Sequence, residues 1–106
     1  MNNVLSIAIL ALINAASLLA ADAGNGKAVY DRSCKSCHGV DGTANPAVAK
    51  AMKVEIPDLK SQDVQALSDA EIRSVIASGK GKMRPIKAVS GSEADDIAAY
   101  IHTLKK

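Results

Sequence analysis

Tryptophan and phenylalanine are absent from this 106-residue chain, and tyrosine occurs only twice, at Tyr30 and Tyr100. A domain of this size that lacks its usual bulky core residues must fill its interior with small aliphatics or with something other than protein. There are only two cysteines, which rules out a multi-bridge disulfide scaffold. Glycine (7) and proline (3) are too few for a collagen-like or low-complexity chain. No charge dominates either. The formal net charge is +2 with 23% charged residues, which fits neither a disordered tail nor a dedicated nucleic-acid binder.

What is present begins with an uncharged stretch. Residues 1–21 carry no charged side chain, and Val4 to Ile13 is nearly continuous aliphatic sequence broken only by Ser6. Ala21-Asp22-Ala23 then has the small-x-small form of a signal-peptidase site. Residues 1–23 therefore read as a secretory leader, cut after Ala23 or a residue or two earlier. The competing reading is an uncleaved anchor, since a span needs roughly 20 apolar residues. Asn14, the Ala-rich second half and the cleavage-like site favour removal. The expected location is the periplasm, with a membrane-anchored form facing the periplasm if the leader is kept.

Cutting after Ala23 leaves residues 24–106 as one domain of 83 residues, with 13 basic side chains against 10 acidic. A domain so small is marginal without a disulfide, a metal or a cofactor to staple it. Gly26, Val29, Tyr30 and Ser33 fall at helical spacing. Ser68-Asp69-Ala70-Glu71 forms a capping box ahead of Ile72, Val75 and Ile76, with Gly79 as the stop. Ser92 is placed to cap a last helix whose apolar face is Ile97, Tyr100, Ile101 and Leu104. A weaker helical stretch runs from Ala47 to Lys53 after Pro46. The segments His38–Pro46, Val54–Val64 and Gly79–Gly91 read as loops. No run alternates with period two long enough to predict a strand, so the expected fold is all-α. Loops this long in so small a protein usually hold or bind something.

Both cysteines lie in one pentapeptide, Cys34-Lys35-Ser36-Cys37-His38, the spacing at which haem is attached through thioethers. Two thiols three positions apart on a helical turn can each add to a vinyl group on one porphyrin edge. The imidazole after the second thiol then falls beneath the iron. Other readings are weaker. A thioredoxin-like pair wants a βαβ context. A zinc site from Cys34, Cys37, His38 and His102 lacks the usual two-pair spacing. A Cys34–Cys37 disulfide would close a loop too small to stabilise much. For the far side of the iron the candidates are Met52, Met83, His102 and the lysines. Met52, in a short helix, reads as core filler. His102 falls off the apolar stripe and reads as a solvated surface side chain. Met83 lies 45 residues after His38 in Gly79-Lys80-Gly81-Lys82-Met83-Arg84-Pro85, where two glycines and a proline can turn one side chain inward. Met83 is the expected ligand.

With these motifs in place, the whole of residues 24–106 resembles the class I c-type cytochromes, in particular the small bacterial monohaem members. The resemblance rests on an N-terminal helix leading into C-x-x-C-H, a glycine-rich loop holding Met83 and an amphipathic C-terminal helix. It implies N- and C-terminal helices packed across each other around one covalent haem c, with Gly26, Tyr30, Ile97 and Tyr100 at the crossing. It also implies that the Pro46 carbonyl accepts the ring N–H of His38, which would fix the imidazole's orientation. The family's usual Trp or Tyr partner for a haem propionate has no counterpart between Pro46 and Met83.

The implied function is an exported electron carrier, not an enzyme, in which iron held by His38 and Met83 changes charge without bond making. Lys80, Lys82, Arg84 and Lys87, with Lys35, suggest a docking rim for an acidic redox partner. A monomer is expected, with no nucleic-acid partner. The rival is a peroxidase-like haem enzyme or a gas sensor, either of which needs an open or displaceable sixth position.

Overall fold

A computed structural model describes residues 20–105. The hydrophobic leader lies almost wholly outside that range, so its expected removal is taken up below as a proposal. Six helices follow in order: α1 (Ala23–Ser33), α2 (Lys35–His38), α3 (Pro46–Met52), α4 (Gln62–Gln65), α5 (Asp69–Ser78) and α6 (Gly91–Ile101). Among the described residues the only β pairing is an isolated bridge between Lys80 and Met83, and the fold is all-α as expected.

The organising contact is the crossing of α1 over α6. Gly26 is buried there, and a Cβ on it would run into the Asp96 carbonyl, so glycine is what lets the two backbones meet. One turn along, the rings of Tyr30 and Tyr100 pack at 5.2 Å between centroids, tilted by 57°, a geometry aromatic pairs favour. Val29, Tyr30, Ile97 and Ala98 are almost completely excluded from solvent. Ile72 and Ile76 bring α5 onto the same core, and Leu59 closes it from the loop before α4. No charged or polar side chain is buried among the described residues.

Local signals account for most helix ends. Ser68 and Glu71 cap α5 reciprocally, and Gly79, at φ +77°, ends it. Asn45 caps α3 through the Ala47 and Val48 N–H groups, with Pro46 at its first position. Four expectations need correction. The cap of α6 is Ser90, not Ser92, because Ser90 stands three residues before Glu93 and the two form a capping box. Within the expected loop 54–64, Ser61 caps the short helix α4. Met52, at the end of α3, is 38% exposed rather than core filler, because Lys53 turns left-handed (φ +55°) and ends the packing there. His102 is half-buried rather than solvated, as the C-cap of α6. Its Nε2 lies 2.8 Å from the Leu67 carbonyl and its Nδ1 2.9 Å from Asp69.

The start of α1 extends the folded unit back to Asp22. Its carboxylate accepts from the Gly24 and Asn25 N–H groups, and its own N–H donates to the Asp96 carboxylate at 2.8 Å. Asn25 Nδ2 reaches the other oxygen of Asp96 at 2.7 Å.

Candidate functional site

Cys34 is the hinge between α1 and α2, ending one helix and starting the next. Its carbonyl accepts from the Cys37 and His38 N–H groups at 3.3 and 3.0 Å, which winds the pentapeptide into one turn. The two thiols and the imidazole thus share a single short element. Two neighbours fix it from outside. Tyr30 Oη donates to the Gly39 carbonyl at 2.6 Å, tying the residue after His38 to the core. The Asn45 N–H donates to the Cys37 carbonyl at 3.0 Å, and its side-chain amide to the Ser36 carbonyl at 3.1 Å. Asn45, which sequence reasoning did not single out, therefore clamps the turn and caps α3 at once. Its place just before Pro46 was the available signal.

Both cysteines are free and half-buried. Burial, with a smaller effect of Cys37, pushes the Cys34 thiol up to about 11. A neutral thiol of this kind is no thiolate nucleophile, which weighs against a redox-active dithiol. His38 is half-buried and desolvation lowers its pKa, so the imidazole stays neutral with a lone pair available. Its Nδ1 is buried without a hydrogen-bond partner. The Pro46 carbonyl, expected to accept there, belongs to the first residue of α3 and makes no hydrogen bond to that nitrogen here.

Met83 is half-buried in a tight loop. The Lys80 and Met83 backbones exchange bonds of 2.9 and 3.0 Å. Gly79 is needed at the base, since a Cβ there would press on the Met83 carbonyl and the Pro85 ring. The far side closes where the Ile86 N–H reaches the Ile76 carbonyl at 2.9 Å. Lys82, at the tip, donates to the Met52 carbonyl at 2.9 Å and so joins this loop to the end of α3. Among the described residues no three His, Cys, Asp or Glu side chains gather to hold a metal ion. His102, the fourth member of the weighed zinc set, is engaged with Asp69 and Leu67.

A family model described as cytochrome c oxidase, cbb3-type, subunit III matches residues 21–101. Cytochrome c-554(547) of Halothiobacillus neapolitanus is 33% identical over 81% of this chain and 100% of its own length. The chain belongs to the c-type cytochromes. Cytochrome c6 of Synechocystis sp. is 34% identical over 78% of this cytochrome, which spans 66% of that relative. Among solved structures, the KustC0563 c-type cytochrome superposes with a TM-score of 0.65 at 27% identity. That match covers 76% of this cytochrome and 98% of that chain.

The cofactor of this cytochrome is haem c, held covalently, and its residues suit such a group. Two thiols three positions apart suit attachment to a porphyrin edge, and a neutral imidazole and a thioether are donors that haem iron accepts. The unpartnered Nδ1 of His38 further shows an imidazole that the protein fold alone leaves unsatisfied.

Proposed function

We propose that this cytochrome is an exported single-electron carrier. In this reading Cys34 and Cys37 would hold the haem through thioethers, and His38 and Met83 would be the residues that hold its iron. The observation that carries it is the pentapeptide turn, where a half-buried imidazole with a buried, unpartnered Nδ1 directly follows the two cysteines on one helical turn. When bound, haem c supplies an iron that changes oxidation state by one electron. The chain's own residues do the rest. Tyr30 and Asn45 hold the His38 turn in place, while Gly79 and the Lys80–Met83 backbone pair set the direction of the Met83 loop. A thioether ligand raises the potential relative to two nitrogen ligands. Holding both ligands on constrained backbone keeps reorganisation between oxidation states small.

The partner surface follows from charge. Lys27, Arg32, Lys60 and Arg73 each pair with a carboxylate. Among the described residues, Lys35, Lys50, Lys53, Lys80, Lys82, Arg84 and Lys87 form no ion pair, and they lie on the three segments that carry the site. Among the described residues the exposed large apolar side chains are Val40, in the loop after α2, and Met52, at the end of α3. Unpaired cations together with exposed apolar side chains suit brief docking of an acidic redox protein through a small interface.

Export rests on the leader. Among the described residues no helix is long and apolar enough to cross a membrane. Because Asp22 caps α1 and binds Asp96, the cut compatible with a complete α1 falls no later than the Ala21–Asp22 bond. The new terminal ammonium would then face the Asp96 carboxylate.

The carrier reading is tested by the spin state of the purified protein. A low-spin spectrum in both oxidation states supports it. A high-spin ferric form that binds peroxide or a gas directly would instead support the haem enzyme or sensor.

A further inference from the structure

Met52 is the last residue of α3, and a helix leaves its final carbonyls without partners of its own. At this end the Lys53 N–H turns back to Ala49 and Lys50, and the Val54 N–H to Ala49. The Met52 carbonyl is served instead from across the fold, by the Lys82 ammonium at 2.9 Å, 30 residues away in sequence. A cation is well placed at the carbonyl end of a helix. Among the described residues this is the one hydrogen bond between segment 46–57 and segment 79–89. The other bonds of the Met83 loop are internal or run to α5: the Lys80–Met83 pair, Gly79 N–H to Val75 and Ile86 N–H to Ile76. The loop is therefore fastened at its base and pinned at its tip by a single lysine, directly before the proposed ligand.

We propose that Lys82 is a positioning residue for Met83, a strut that holds the ligand loop against α3 and so sets how often the thioether leaves the iron. This rests on the reading of Met83 as the sixth ligand. Lys82 is exposed and its bond is a single one, so its effect is a shift in the closed population and not an all-or-none loss.

The test is titration of the oxidised holoprotein with imidazole, which can bind iron only where Met83 has left. Lys82→Gln is expected to bind imidazole about two- to five-fold more tightly than the native protein, with a matching loss of sulfur-to-iron absorption. Lys82→Arg, which can still donate to the Met52 carbonyl, should return to the native affinity. Lys80→Gln removes the same charge two residues away without touching α3, and should also match the native protein. Far-UV unfolding of each variant shows whether the helices are equally stable, as the proposal requires. Native affinity in Lys82→Gln, or an equal rise in Lys80→Gln, would overturn the strut. If the native protein binds imidazole as tightly as Met83→Ala does, Met83 is not a ligand, and the ligation reading falls along with the strut.

Discussion

Single residues carry this fold because so few large ones are available. Gly26 is the clearest case, since any side chain there meets the Asp96 carbonyl. Gly26→Ala should cost about 1–3 kcal/mol, the usual range for overpacking, measured by denaturant unfolding of the holoprotein. In the proposed ligation Met83 carries the chemistry. Met83→Ala should lose the far-red sulfur-to-iron band and lower the reduction potential, read by potentiometry, while the haem stays attached. Much at this scale was legible in the sequence. The pentapeptide and the small-plus-aromatic stripe of Gly26 and Tyr30 depend on spacing alone, and spacing is visible in a linear chain. Lys82, Asn45 and His102 were not legible, because each acts through a backbone carbonyl, and carbonyls leave no mark in a sequence. His102 shows this plainly: helical phase puts it in water, but the turn after α6 brings its ring to Leu67 and Asp69.

Helix ends decide the next scale. Helix α6 has two serines that could begin it, and the reciprocal pairing with Glu93 selects Ser90. Ser90→Ala should therefore destabilise the protein by about 1 kcal/mol, and Ser92→Ala by no more than about 0.5 kcal/mol, in the same unfolding experiment. The caps also predict a pH dependence. Hydrogen bonds from the Ser68 and Ser90 backbones lower the Glu71 and Glu93 carboxyls below their ordinary values. A carboxyl whose pKa is depressed on folding adds stability above its unfolded value and loses that share as pH falls through the folded one. Stability should thus decline with acidification below about pH 4.3, the ordinary Glu value, and Glu71→Gln with Glu93→Gln should flatten that slope. Existence and type of the long helices could be read from capping boxes and periodicity. The short α4 could not, since four residues give no period, and Ser61 alone does not distinguish a cap from a loop serine.

At the level of the whole molecule, Lys27, Arg32, Lys60 and Arg73 are ion-paired, whereas Lys35, Lys50, Lys53, Lys80, Lys82, Arg84 and Lys87 form no ion pair among the described residues. Electron transfer to an acidic partner should slow as ionic strength rises. Replacing Lys80 and Lys87 together by Gln should slow it at low salt and weaken the salt dependence, measured by stopped-flow reduction. The mass of the mature protein tests the proposed removal of the leader. A chain starting at Ala21 or Asp22 keeps the cap of α1, whereas a start at Gly24 would contradict the role given to Asp22.

The most direct measurement of the whole account is the optical spectrum of the oxidised protein purified from the compartment in which it matures. Ligation by one imidazole and one thioether predicts a low-spin iron with a weak far-red absorption that disappears in Met83→Ala and persists in Met52→Ala. A native spectrum that is high-spin, or a far-red band untouched by loss of Met83, would contradict it.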